Sequence, residues 1–138
     1  MVIPPLSPLD GRYAEKLTAL SAVMGEDALL TARVRAEIEW FTVLCGLKLP
    51  GVKKLSVAEQ KILAKLTDLS AQDVALIRQI ETRGYKNIPA TRHDVKSVEY
   101  FLRLKLEKTS LKDRLPFIHF ALTSEDINSV SSHLSATQ

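Results

Sequence analysis

Apolar residues recur along this chain at helical spacings, and the polar residues between them sit where helices begin. Val95, Val98, Leu102 and Leu106 fall three, four and four residues apart, on one face of a helix. Pro89 lies just upstream, and Thr91 with Asp94 has the form of an N-terminal capping box, so a helix is predicted from Thr91 to about Thr109. A second stripe joins Leu30, Val34, Ile38, Phe41 and Cys45, widened by Trp40 and Leu44, with Arg33, Arg35, Glu37 and Glu39 outside. Glu26 and Asp27 favour the first turn of that helix, and Gly46 its end.

Ser56 with Glu59, and Ser70 with Asp73, are two more capping boxes. They open helices carrying Ile62, Leu63 and Leu66, and Val74, Ile77 and Ile80; Gly84 stops the second. Met1 to Leu9 holds three prolines and is expected to be extended, with Asp10-Gly11 as a turn. A short helix should then run from Arg12-Tyr13 to about Ala22 on a stripe of Tyr13, Leu17 and Leu20. Thr123 with Asp126 opens a last helix through Ile127 and Val130 towards Leu134. No stretch alternates with period two for more than a few residues, and the predicted fold class is all-α.

At 138 residues, 46% apolar and 25% charged, the composition is that of an ordinary globular domain. No apolar run approaches the roughly 20 residues of a membrane helix, and the first residues do not have the pattern of a signal peptide. Cys45 falls in an apolar helical pattern and reads as a small core residue in a reducing, cytoplasmic setting. The basic run Arg103, Lys105, Lys108, Lys112 and Arg114 alternates with Leu and Glu, which suits a solvated face better than nucleic-acid contact. The His and Cys residues lack metal-ligand spacing, so no metal is expected, and without a long apolar run no membrane is expected as a partner.

Candidate chemistry gathers at three helix starts. Arg12 with Tyr13, Arg92 with His93, and Thr123 with Ser124 place cations and hydroxyls where free backbone N–H groups attract anions. Two of these cations oppose the local helix dipole, which makes sense if a negatively charged ligand sits there. If the three starts converge, they would hold a ligand with several negative groups. His93 and His119 are the candidate proton carriers, with Asp94 able to orient a ring. His119, flanked by apolar residues, reads first as a satisfied core histidine.

Three segments carry a resemblance: Ser7-Pro8-Leu9-Asp10-Gly11-Arg12-Tyr13, Thr91-Arg92-His93-Asp94-Val95-Lys96, and Phe117-Ile118-His119-Phe120-Ala121-Leu122-Thr123-Ser124-Glu125-Asp126-Ile127-Asn128. In this order they resemble the N-terminal third of the adenylosuccinate lyases, within the fumarase/aspartase superfamily. The resemblance implies residues 1–116 as an N-terminal helical domain and 117–138 as the first turns of a central helical bundle. It implies elimination of fumarate from adenylosuccinate to give AMP, and from the succinylated aminoimidazole carboxamide ribotide. No metal or organic cofactor is implied, and the expected assembly is a homotetramer.

Carried over, Arg12 and Tyr13 would contact the nucleotide phosphate, and Arg92, His93 and Asp94 the substrate. Thr123 and Ser124 would hold a succinyl carboxylate. Two departures stand out. The stretch Gly84 to Ala90 is longer than the family pattern suggests, and the family's general-acid histidine and serine base fall beyond Gln138. No residue of this chain is therefore expected to be catalytic, and a fragment, inactive alone and prone to self-association, is the expectation. A non-catalytic nucleotide-binding or interaction module on the same fold is the rival reading. An argininosuccinate lyase or aspartase is disfavoured, because a phosphate-contacting Arg-Tyr pair has no use on a small amino acid.

Overall fold

A computed structural model describes residues 4–47 and 49–137, and among these it contains six α-helices and no strand. They are α1 (Thr18–Met24), α2 (Glu26–Gly46), α3 (Val57–Leu66), α4 (Ala71–Thr82), α5 (Asp94–Leu106) and α6 (Ser124–Ala136). Short 3-10 turns, Ala14–Leu17 and Lys112–Phe117, precede α1 and α6. The all-α expectation holds. The predicted extended start falls partly on residues 1–3, outside the described residues.

Helix α2 is the axis of the molecule. One face carries the predicted stripe, with Leu30, Val34, Ile38, Phe41 and Cys45 all buried. They meet Leu63 of α3, Val74, Ile77 and Ile80 of α4, and Val98, Phe101, Leu102 and Leu106 of α5. Its other side receives α6, and α4 packs along α5. Ala36 on α2 packs against Ile127 of α6, whose other buried positions are Ser131 and Ser135, so small residues on both partners allow close approach. A second apolar cluster joins Ala36, Val95 and Ile127, with Leu122 against it. It ties α2, α5 and α6 together beneath the starts of α5 and α6.

Three of the four predicted capping boxes form, at Ser56–Glu59, Ser70–Asp73 and Thr123–Asp126. The fourth does not. Helix α5 begins at Asp94 with His93 as its N-cap, and Thr91 Oγ1 instead donates to the His93 carbonyl. The amides of Thr91 and Arg92 donate to the carbonyls of Ile80 and Glu81, groups that the end of α4 leaves without helical partners. Thr91 and Arg92 thus belong to the end of α4, not to the first turn of α5. The return between these helices turns at Gly84, whose φ of +82° and closeness to the Ile88 carbonyl leave no room for a Cβ.

Other expectations need correction. The first helix starts later than Arg12, as a 3-10 turn from Ala14, and buries none of its residues; Tyr13 and Leu20 are exposed. Arg33 and Glu37 do not line the outside of α2; they are 8% and 0% exposed. Arg35 and Glu39 do, as a surface pair at 2.7 Å. On α6, Ile127 is buried but Val130 is 47% exposed.

The α6 face therefore makes a sharp contrast between two aliphatic truncations. Ile127→Ala should cost about 2–5 kcal/mol of unfolding free energy, and Val130→Ala within about 0.5 kcal/mol, by urea denaturation. Equal costs would mean that α6 does not sit on α2 by this face.

Candidate functional site

The site is built where α5 and α6 begin side by side. Asp94 supplies the first residue of α5, and its Oδ1 accepts the Val95 amide at 2.8 Å. His93, in extended conformation at the cap, receives the Lys96 amide on Nδ1 at 3.4 Å. A neutral ring that accepts at Nδ1 carries its proton on Nε2. That Nε2 lies 3.2 Å from Ser124 Oγ, the first residue of α6. In the tautomer that donates from Nε2, the Ser124 hydroxyl proton remains available to an incoming acceptor.

Thr123 caps α6 and receives the Asp126 amide, while the Asp126 carboxylate takes the Thr123 amide at 2.7 Å and its hydroxyl at 2.7 Å. The Thr123 amide and hydroxyl hold the Asp126 carboxyl below the usual carboxylate range. Both helix starts are thus partly served by their own carboxylates, Asp94 and Asp126. The groups left facing outward are the Ser124 hydroxyl, the half-exposed His93 ring and the exposed Arg92 side chain. Arg92 has a φ of +50°, and no hydrogen bond or ion pair to its guanidinium is found among the described residues.

Two buried charges on α2 underlie the junction. Arg33 reaches across it, with a guanidinium nitrogen 2.7 Å from Asp94 Oδ2 and Nε 3.2 Å from Asn128 Oδ1. One turn later, Glu37 Oε1 lies 2.5 Å from His119 Nδ1. Burial pushes the Glu37 carboxyl up; His119 pulls it back, and the nearby Glu99 adds to the rise. His119 is therefore a satisfied histidine, as expected, but it is only partly buried and its partner is a buried acid.

Of the three predicted anion-binding starts, two meet. Arg12 and Tyr13 lie on the N-terminal turn, with the Arg12 guanidinium 4.9 Å over the Tyr13 ring. No hydrogen bond or ion pair joins them to His93 or Ser124 among the described residues. Their loop is shaped by Asp10, whose carboxylate accepts from the Ser7 hydroxyl and from the amides of Leu6 and Ser7. The same contacts, the Ser7 hydroxyl foremost, hold the Asp10 carboxyl down at about 2. Sequence reasoning missed Arg33, Glu37 and Asn128. The signal available was the small residues Ala32 and Ala36 beside the two charges, which mark a face meant for another helix.

Among the described residues no helix is long and apolar enough to cross a membrane. No protein-family model matches the chain. It is similar to adenylosuccinate lyases of several organisms. It is 39% identical over 136 residues to that of Legionella pneumophila (strain Corby), across 96% of this chain and 28% of that protein. The adenylosuccinate lyase of Haemophilus influenzae is 39% identical over 132 residues, across 94% of this chain and 27% of its own length. For that of Escherichia coli (strain K12) the identity is 38% over 134 residues, with the same shares. The chain thus spans little more than a quarter of the length of these relatives.

The buried acid gives the junction a pH signature. Burial raises the Glu37 carboxyl above its ordinary 4.5, so the folded chain holds this proton to higher pH than the unfolded chain does. Folding takes up a proton across that window, and stability falls as pH rises through it. Glu37→Gln removes this dependence, so its stability relative to the parent should improve from pH 4.5 upward in urea unfolding. A stability difference that does not change with pH would show that Glu37 titrates alike in both states.

Proposed function

Because the chain is a relative of the adenylosuccinate lyases along nearly its whole length, we propose that it is the substrate-binding portion of such an enzyme. The reaction is elimination of fumarate from adenylosuccinate to give AMP, and likewise from the succinylated aminoimidazole carboxamide ribotide. The observation that carries this reading is the Ser124 Oγ to His93 Nε2 contact at 3.2 Å, between two helix N-termini. It leaves a hydroxyl donor beside the N-termini of two helices, an arrangement suited to a carboxylate.

In this reading Thr123 and Ser124 hold a succinyl carboxylate, the hydroxyl of Ser124 donating directly and Thr123 fixing the start of the helix. His93 orients that hydroxyl, Asp94 locks the start of α5 onto Arg33, and Arg92 supplies a free cation to a second anionic group. Arg12 and Tyr13 would meet the nucleotide phosphate, from the same subunit or from another copy of the chain. Elimination needs a base for the carbon-bound proton and an acid for the leaving nitrogen. We assign neither to this junction: His93 is committed at both ring nitrogens, and Asp94 to an arginine and a backbone amide. The acid and base would come from outside these 138 residues, in a cytoplasmic homotetramer needing no metal or cofactor.

A two-dimensional amide titration with succinate, and separately with AMP, tests the binding role. Succinate should move the resonances of Arg92 to Asp94 and of Thr123-Ser124 together. Ser124→Ala, which deletes a hydrogen bond to a charged group, should weaken binding by about tenfold or more. No movement at millimolar succinate would contradict a carboxylate site here.

A further inference from the structure

The segment that delivers Ser124 is itself held in a disfavoured conformation. His119 and Ala121 have φ of +62° and +59°, in the left-handed region that residues bearing a Cβ avoid. Two such residues within three persist only where the surroundings over-determine them. The surroundings here are two side chains of α2, one turn apart: Glu37 bonds the His119 ring at 2.5 Å, and Trp40 Nε1 donates to the Phe120 carbonyl at 2.8 Å. Only Leu122 and Thr123 lie between this turn and Ser124.

We propose that Glu37 and Trp40 are positioning residues: a two-point staple on α2 that holds the left-handed turn His119–Ala121 and so sets Ser124 Oγ against His93. Packing alone does not ask for an acid at position 37. The side chain is fully buried, its Oε2 has no hydrogen-bond partner, and an apolar residue of similar volume would fill the space without that desolvation cost. What the acid adds is a directional bond to His119. Trp40, only partly buried, likewise adds a directional N–H to an aromatic body. The bearing of the staple on ligand binding rests on the reading of the junction as a carboxylate site; its bearing on the His93–Ser124 geometry does not.

The test compares Glu37→Leu, Trp40→Phe and the double variant Glu37→Leu with Ala121→Gly in the full chain. The readout is the nuclear Overhauser contact between the His93 ring and the Ser124 Hβ protons, with the urea midpoint measured alongside. Glu37→Leu should unfold at the parent's midpoint or above it, yet lose that contact and bind succinate about tenfold more weakly. Trp40→Phe should weaken the same contact, and it decides the matter if Glu37→Leu does not fold. Adding Ala121→Gly should recover part of the contact, since glycine adopts the left-handed turn without a staple. Folded variants that keep the parent contact and the parent His93 ring shifts would overturn the proposal. Absence of succinate binding by the parent would count against the carboxylate site only, because the Overhauser contact is read without ligand.

Discussion

The contact on which the rest of the structure depends is the reach of Arg33 from α2 to Asp94 on α5 and Asn128 on α6. These two helices have no covalent reason to begin together; almost 30 residues separate their first turns. A planar guanidinium can satisfy a carboxylate and an amide oxygen at once, in fixed directions, which an ammonium on a flexible stem does not do. Burying the arginine costs desolvation, and the two polar partners offset it. Asp94 keeps over a third of its side chain in water, so the pair's worth lies in geometry more than in raw stability. Beneath it, Ala36, Val95 and Ile127 supply the apolar floor that makes the same three-helix arrangement favourable.

Much of the fold was legible because its causes are local. Stripes with period 3.6 mark the faces of α2, α4 and α5, and a hydroxyl three residues before an acid marks the starts of α3, α4 and α6. The start of α5 was misplaced by three residues for a non-local reason. Thr91 and Arg92 give their amides to Ile80 and Glu81 at the end of the preceding helix, and nothing in a capping-box pattern reveals a partner eleven residues back. Leu20 was assigned to an apolar stripe, but α1 buries none of its residues.

The site was legible in part. His93 and Ser124 were named from helix polarity and family resemblance, and the structure brings them into contact. Arg33 and Glu37 were assigned to solvent because charged residues on an amphipathic helix usually face it. That rule fails when a second helix covers the polar side, and here α6 does. The two charges then become the most consequential residues on α2: one sets the relation of α5 to α6, the other anchors the turn before α6. Arg12 and Tyr13 share no hydrogen bond or ion pair with this junction among the described residues, so a phosphate role for them rests on family resemblance.

The most direct test of this account is the exchange behaviour of the Arg33 guanidinium. If Arg33 Nε donates to Asn128 inside the fold, its Hε signal should be visible at neutral pH, exchange slowly with water, and shift in both Asn128→Ala and Asp94→Asn. A rapidly exchanging Arg33 Hε, unaffected by either substitution, would mean that α2 does not hold the two helix starts together.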